Sequence, residues 1–342
     1  MTQAIASVRE VTGTPDFWRD RKVFVTGASG LLGSWLVEFL LQREADVTIL
    51  TRRRTWHSPD PAANASPSIA DGRVENYETV AAALDHSRAR FVFHLAAQSI
   101  VANANSDPLG TLTSNVQGTW NVLEACRRTG VGAVVVASSD KAQGSQEHLA
   151  LLGSRSPVDL YPYGVSKSCA ELITAMYAST YSLRAAIARF GNLYGGGDYN
   201  LTRTIPGAIH AALEKRPFVM RSDGRGLRNF LYVKDAVDAL LTLAEQLYEH
   251  PELQGETFSF HSGEPMPVLE VVRMVLECMG CGDLEVAVPN PVREEAFNAS
   301  DQQGIGKSIE HFDWKARYGM NDALRETISW YERHAMEGAP RT

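Results

Sequence analysis

The chain has 342 residues, 44% of them apolar and 21% charged, with a formal net charge of −7. That length holds one large domain or two moderate ones. The acidic balance argues against a nucleic-acid-binding surface, no apolar run reaches membrane-span length, and Arg9, Glu10, Asp16, Arg19 and Asp20 leave no apolar block for a secretory leader, so a cytosolic protein is expected.

The first element is a short strand, Lys22-Val-Phe-Val-Thr26. Gly27-Ala-Ser29-Gly30-Leu31-Leu32-Gly33 follows at once and leads into a helix over Ser34–Gln42. Glycines between a strand and a helix permit a tight turn and let backbone N–H groups approach a pyrophosphate at the helix N-terminus. This turn is read as a dinucleotide site. A second strand, Asp46–Leu50, runs into Thr51-Arg52-Arg53-Arg54, with no carboxylate before Ser58. Asp or Glu here suits the ribose 2′-OH of NAD, whereas arginine suits a 2′-phosphate. Arg52 and Arg53 therefore favour NADP over NAD, which stays open. Residues 57–70, rich in Pro, Ala and Ser, read as a mobile surface loop.

Arg90–His94 is a further buried strand, and Leu95-Ala96-Ala97-Gln98 offers small residues against a cofactor. His94 reads as a strand-end packing residue. An amphipathic helix is expected over Thr111–Arg128. The strand Val134-Val-Val-Ala137 then ends in Ser138-Ser139-Asp140-Lys141, at the strand end where α/β proteins place their sites. Tyr163-Gly-Val-Ser-Lys167 opens the next helix, and residues four apart share a face. An unperturbed tyrosine titrates near about 10, and a neighbouring ammonium favours the phenolate. Lys167 is therefore expected to lower Tyr163, making it a base for a substrate hydroxyl whose oxygen Ser139 holds.

Another strand, Leu183–Phe190, ends in Arg189-Phe-Gly-Asn192-Leu-Tyr-Gly-Gly-Gly197-Asp198, whose glycines suggest backbone shaped around a ligand. Strand and helix alternate from Lys22 to about Tyr181, the pattern of a parallel sheet with crossover helices. Residues 1–199 are thus expected to form mainly a dinucleotide-binding domain, and 200–342 mainly a smaller substrate lobe interleaved with it. In that lobe, helices over Ile205–Lys215, Val233–Glu249, Val268–Met279 and Asp322–His334 mix with strand-like runs over Pro217–Arg221, Thr257–His261 and Glu285–Val288. Cys278 and Cys281 have the spacing of half a zinc site, but no complementary Cys/His pair stands elsewhere. They read as ordinary thiols, and no metal is expected.

With the glycine turn, Leu-Ala-Ala-Gln, Ser-Ser-Asp-Lys, Tyr-x-x-x-Lys and Gly-Asn-Leu-Tyr-Gly in this order, the chain resembles the extended short-chain dehydrogenase/reductases. The likeness runs from about Lys22 to Tyr331. Within them it is most similar to the sugar-nucleotide 4,6-dehydratases of the CDP-glucose type, through Ala96-Ala-Gln98 with Asp107-Pro108, Ser139-Asp-Lys141, and Gly191 to Asp198 followed by Arg203 and Pro206. The arginines after the second strand are instead similar to those of GDP-mannose 4,6-dehydratase, an NADP enzyme.

The resemblance implies an α/β fold: a Rossmann doubly wound sheet of about seven parallel strands, with a smaller mixed C-terminal lobe. It implies a homodimer through the helices beginning near Thr111 and Tyr163. It also implies a tightly bound NADP or NAD, regenerated each cycle and contacted by Gly27, Ser29, Gly30, Leu31, Leu32, Gly33, Arg52, Arg53, Leu95, Ala96, Ala97, Asn115, Tyr163 and Lys167. For the nucleotide sugar it implies Gln98, Ser99, Asn192, Arg203 and Arg228, the arginines matching a diphosphate. In the implied reaction Tyr163 takes the O4 proton, Lys141 takes the C5 proton, and Asp140 protonates the departing C6 hydroxyl, a matched acid and base. Gln143, Asn229 and Ala102-Asn-Ala-Asn105 depart from the pattern around the sugar pocket. A 4-epimerase, 4-dehydrogenase or decarboxylase of a nucleotide sugar is the alternative. A non-catalytic dinucleotide-binding protein fits less well, since both Tyr163 and Lys167 are present.

Overall fold

The computed structural model describes residues 16–53, 55–60, 64–142, 161–263, 265–288, 307–308 and 314–336. Its centre is one parallel sheet. The strands β1 (Lys22–Thr26), β2 (Asp46–Thr51), β3 (Ser68–Asp71), β4 (Phe91–His94), β5 (Ala133–Ser139) and β6 (Ala185–Phe190) stand in the order β3-β2-β1-β4-β5-β6. This is the doubly wound arrangement, whose strand order reverses between β1 and β4 and leaves a crevice at the carboxyl ends. Three short strands follow: β7 (Asn192–Tyr194), β8 (Phe218–Val219) and β9 (Leu227–Arg228). Beyond them come β10 (Phe230–Tyr232), β11 (Thr257–Phe260), β12 (Met266–Pro267), β13 (Val286–Ala287) and β14 (Lys307–Ser308). β11 pairs parallel with β6, and the two-residue β14 pairs with β11, making eight strands in the sheet.

The helices are α1 (Leu31–Gln42), α2 (Tyr77–Ser87), α3 (Val101–Ser106), α4 (Pro108–Leu112), α5 (Gly118–Thr129), α6 (Pro162–Tyr181), α7 (Thr204–Leu213), α8 (Val233–Glu249), α9 (Val268–Cys278) and α10 (Met320–Met336). Because strand side chains alternate faces, β1 feeds two cores. Val23 and Val25 join Trp18, Leu36, Phe91 and Leu240 on one face, while Phe24 joins Leu50, Val80, Leu84 and Val122 on the other. α8 packs on α1, β5 and β6, so residues beyond 200 build one layer of the dinucleotide-binding half.

Four local expectations change. Thr257–His261, assigned to the substrate lobe, is β11 of the main sheet, because Phe258 and Phe260 continue the buried face beside β6. The 57–70 stretch contains the start of β3, and its described part is anchored rather than loose. Ser58 Oγ donates to Glu38 Oε2 (2.5 Å), and Trp330 Nε1 donates to the Pro59 carbonyl (2.6 Å). The Thr111–Arg128 helix is interrupted by a π-helical turn at Thr113–Gln117, a distortion that recurs at functional sites. In the glycine run after β6, Gly195 and Gly196 make room for protein side chains. A Cβ on Gly196 would lie 2.2 Å from Trp330 Cγ, and one on Gly195 would lie 2.3 Å from Val233 Cγ1.

Candidate active site

At the end of β1 the chain turns through Gly27, whose φ of +75° is the left-handed region that favours glycine. A Cβ there would stand 2.6 Å from Ala96 N, and one on Gly33 would stand 2.2 Å from the Gly27 carbonyl oxygen. The turn, α1 and the Leu95-Ala96-Ala97 segment thus close on one another too tightly for side chains. Gly30 caps α1 without any side-chain hydrogen bond, and the first turn carries no acidic residue. Its first-turn N–H groups are left without a side-chain cap, a fit for a pyrophosphate. Ser29 is exposed beside them, and Leu31 and Leu32 are half-buried. Arg52 and Arg53 lie exposed at the end of β2, and Arg53 N donates to Thr51 Oγ1 (3.1 Å).

The expected chemical residues meet at the end of β5. Ser139 Oγ donates to Asp140 Oδ1 (2.9 Å) and accepts from Lys141 N (3.3 Å). Lys141 Nζ stands 3.7 Å from Asp140 Oδ1, while Asp140 Oδ2 is buried without a hydrogen-bond partner. Tyr163, near the start of α6, is buried against this strand end. Burial pushes its phenol up to about 12. A hydrogen bond with Ser139 and the charge of Arg203 pull it down, and Asp140 pushes it further up. The charges that act on the phenol are those of Asp140 and Arg203, and no lowering by Lys167 stands beside them. Lys167 Nζ reaches back to the Ala137 carbonyl (2.8 Å), and burial lowers it to about 8 against the opposing charge of Glu171. One helical turn beyond Tyr163, an ammonium anchored on the β5 backbone is held by the strand rather than by the phenol.

Asn115 sits in the π-helical turn, 1% exposed. Its Oδ1 accepts from Gln98 N (2.7 Å), and its Nδ2 donates to the Gln98 carbonyl (3.1 Å) and to Ser166 Oγ (2.9 Å). Ser166 Oγ donates in turn to the Tyr163 carbonyl (2.7 Å). Asn115 therefore clamps the Leu-Ala-Ala-Gln segment to α6 and acts on the site by positioning. Ser99 is exposed next to it and accepts from Arg203 Nη2 (3.4 Å), joining the two sides of the crevice. Asn192 lies on β7, and its N–H donates to the Asn229 carbonyl (2.8 Å). Arg228, half-buried on β9, donates through Nη1 to the Leu227 carbonyl (2.8 Å). Gln143 lies outside the described residues, and Ala102–Asn105 fall within α3.

Sequence reasoning missed the support behind the site. Glu171 and Arg189, each 3% exposed, form a two-pronged ion pair (Oε2–Nη2 2.5 Å, Oε1–Nε 2.7 Å), and Ser138 Oγ donates to Glu171 Oε1 (2.6 Å). A signal was present. Arg189 interrupts the apolar run Ala-Ala-Ile-Ala-Arg-Phe, and Glu171 follows Lys167 by one turn on the same helix face.

His94 is buried between Thr26 Oγ1 (Nδ1, 2.8 Å) and Thr119 Oγ1 (Nε2, 3.1 Å), a packing role, and burial together with Lys167 lowers it to about 3. Its folded value lies below the ordinary 6.5, so the neutral form is favoured by folding. That stability is present above about pH 6.5 and is lost as pH falls toward 3. Denaturation midpoints between pH 7 and pH 4.5 are expected to fall more steeply in the native sequence than in His94→Asn. Equal slopes would contradict this. No cluster of three metal-ligating side chains occurs among the described residues, and the four cysteines are free thiols.

Residues 23–257 match the family model described as the NAD dependent epimerase/dehydratase family. The CDP-glucose 4,6-dehydratase of Salmonella typhimurium is 25% identical, covering 93% of this chain and 92% of its own. A trifunctional UDP-glucose 4,6-dehydratase/epimerase/reductase of Arabidopsis thaliana is 23% identical over 93% of this chain, which spans only 48% of that longer relative. Epimerases also match, among them a putative UDP-glucose 4-epimerase of Methanocaldococcus jannaschii at 25% identity, covering 91% of this chain and 99% of its own. The solved structure of MoeE5 with UDP-glucose and NAD superposes with a TM-score of 0.73 at 28% identity, covering 92% of this chain and 99% of its own. With the glycine turn, the strand-end serine and the Tyr163/Lys167 pair all at one crevice, the chain belongs to the NAD dependent epimerase/dehydratase family.

Proposed function

We propose that the protein is a nucleotide-sugar 4,6-dehydratase, converting a nucleotide-activated hexose to its 4-keto-6-deoxy form. The observation that carries this reading is the Asp140–Lys141 pair beside Tyr163, with Asp140 Oδ2 buried and unpartnered and Lys141 Nζ 3.7 Å from Oδ1. An oxidation at C4 needs only Tyr163, Ser139 and the dinucleotide. Elimination across C5–C6 needs an acid and a base besides. Moving one proton within the pair, from Nζ to the carboxylate, gives both groups in the required forms without exchange with solvent.

Tyr163 takes the O4 proton while Ser139 holds the oxygen, and Lys167 anchors the site from β5. A dinucleotide held by the Gly27–Gly33 turn and the Leu95-Ala96-Ala97 segment would supply the hydride acceptor for C4 and the hydride donor for C6. The new ketone acidifies the C5 proton, which Lys141 removes as Asp140 protonates the departing C6 hydroxyl; Lys141 returns its proton to C5 as C6 gains hydride, and the O4 proton taken by Tyr163 replaces the one Asp140 gave up. Arg203 and Arg228 serve the diphosphate, and Gln98, Ser99 and Asn192 serve the sugar. Incubation with CDP-glucose, GDP-mannose, UDP-glucose and dTDP-glucose, followed by mass spectrometry, tests this. One substrate is expected to lose one water with no net change in dinucleotide. An unchanged mass with all four would count against the reading.

NADP is the preferred dinucleotide in this reading, supported by Arg52 and Arg53 and by the lack of a carboxylate from Thr51 to Arg53 on β2's end. A charge-assisted hydrogen bond contributes about 1.5–3 kcal/mol. Arg52→Ser with Arg53→Ser is therefore expected to weaken NADP binding by about tenfold or more and to leave NAD binding nearly unchanged, as read by calorimetry. Equal losses for both would remove the preference.

The protein acts as a homodimer in the cytoplasm. Leu109 (75% exposed) lies on α4 and Trp120 (42%) on α5, while Leu172 (56%) and Met176 (41%) lie on the adjacent α6. An apolar patch on three packed helices suits a second copy of itself. Free thiols suit a reducing compartment, and among the described residues no helix is long and apolar enough to cross a membrane. Sedimentation is expected to give a dimer for the native chain and a monomer for Leu172→Glu. A native monomer would contradict the assembly.

A further inference from the structure

We infer that Asp198 is a positioning residue that, together with Tyr331, fixes the Arg203 guanidinium against Ser99 at the Tyr163 end of the crevice. This deepens the nucleotide-sugar reading and rests on it for what Arg203 binds. Asp198 is 4% exposed although it follows three glycines in a loop. Its Oδ2 accepts from Arg203 Nη1 (2.9 Å), and its Oδ1 accepts from Asn200 N (3.1 Å), which fixes the carboxylate plane. Its carbonyl accepts the Tyr331 hydroxyl from α10. The adjacent Trp330 fills the space over Gly196 and ties α10 to Pro59. The loop is thus pinned from the C-terminal helix, and a buried carboxylate aims a half-exposed cation.

Arg203 itself has little freedom at the backbone, since it caps α7 and its carbonyl accepts from Gly207 N (2.9 Å). With Nη1 held by Asp198, Nη2 reaches Ser99 Oγ at 3.4 Å, a long bond on an exposed serine that a phosphate oxygen can replace. Asp140 from the end of β5 and Arg203 from the start of α7 act on the Tyr163 phenol with opposite effects, and Lys167 stands one helical turn away, held on the Ala137 carbonyl. Asp198 is not among them. An aimed Arg203 therefore serves both the substrate anion and the phenolate. Neither Asp198 nor Tyr331 was visible as a site residue in the sequence, because they lie 133 positions apart.

The test places a single ring-fluorinated tyrosine at position 163 and follows its ionisation by fluorine NMR in the substrate-free protein. Asp198→Asn, which keeps size and releases Arg203, is expected to raise the midpoint by about 0.5–1 pH unit. Arg203→Met is expected to raise it at least as far, and the double variant no further. Asp198→Glu is expected to restore part of the shift. If Asp198→Asn unfolds by circular dichroism, Tyr331→Phe leaves every charge in place and is expected to shift the midpoint the same way. An unmoved midpoint in a folded Asp198→Asn would overturn the proposal. So would a lowered one, which would make Asp198 a counter-charge to a cation that stays in place without it. The probe needs no substrate, so absence of turnover on nucleotide sugars would sink the dehydratase reading without touching this result.

Discussion

Replacing Tyr163 by Phe is expected to lower turnover by about 10²–10⁴-fold, the usual contribution of a positioned general base, with the melting temperature nearly unchanged. The ring stays and continues to fill its buried place beside β5; only the hydroxyl is lost. Burial pushes that hydroxyl up to about 12, with Ser139 and Arg203 opposing. The base form is therefore the minor one at neutral pH, and kcat/KM is expected to rise with pH through the neutral range. That rise should disappear in Tyr163→Phe. A phenylalanine variant that keeps wild-type turnover would remove Tyr163 from the mechanism, and a flat native profile would mean that another group sets the rate.

The second large effect concerns the pair behind the site. Glu171→Ala leaves Arg189 charged, 3% exposed and without its two-pronged partner, and it takes an acceptor from Ser138. Breaking a buried ion pair by removing one side costs about 3–5 kcal/mol. For a chain of this size that lowers the melting temperature by about 4–7 °C. Replacing both sides, as Glu171→Leu with Arg189→Met, removes both buried charges and is expected to regain most of the loss. The single and double variants, measured side by side by calorimetry, decide the matter. If Glu171→Ala alone melts like the native protein, the pair does not hold the site. Activity is expected to fall in both, because Lys167 loses the neighbouring carboxylate that opposes its desolvation.

What the sequence made legible was local. β1, the glycine turn and α1 are consecutive, and each residue's demand can be read from its neighbours: apolar alternation, a left-handed Gly27, an uncapped helix start. The Tyr163/Lys167 spacing is a property of one helix turn, so a shared face follows from it directly. The charge relation between them does not follow, because it depends on where β5 places its carbonyl groups. Long-range contacts were the illegible part. Trp330 and Pro59 meet across 271 positions, and Tyr331 and Asp198 across 133. The first of these anchors a stretch that composition alone marked as loose. Gly195 and Gly196 misled for the same reason: a glycine announces that something approaches closely, but Val233 and Trp330 rather than a ligand do so. The Glu171–Arg189 pair stood between these cases, visible as an arginine inside an apolar strand.

The most direct test of the dehydratase account follows one hydrogen. A nucleotide hexose carrying deuterium at C4, chosen as the sugar that the protein converts, is incubated with a catalytic amount of enzyme, and the product is analysed by NMR and mass spectrometry. The account predicts a product lighter by one water with the deuterium at C6, carried there through the dinucleotide while Lys141 and Asp140 complete the elimination. Deuterium returned to C4 in a sugar of unchanged mass, or lost to released reduced dinucleotide, would contradict it.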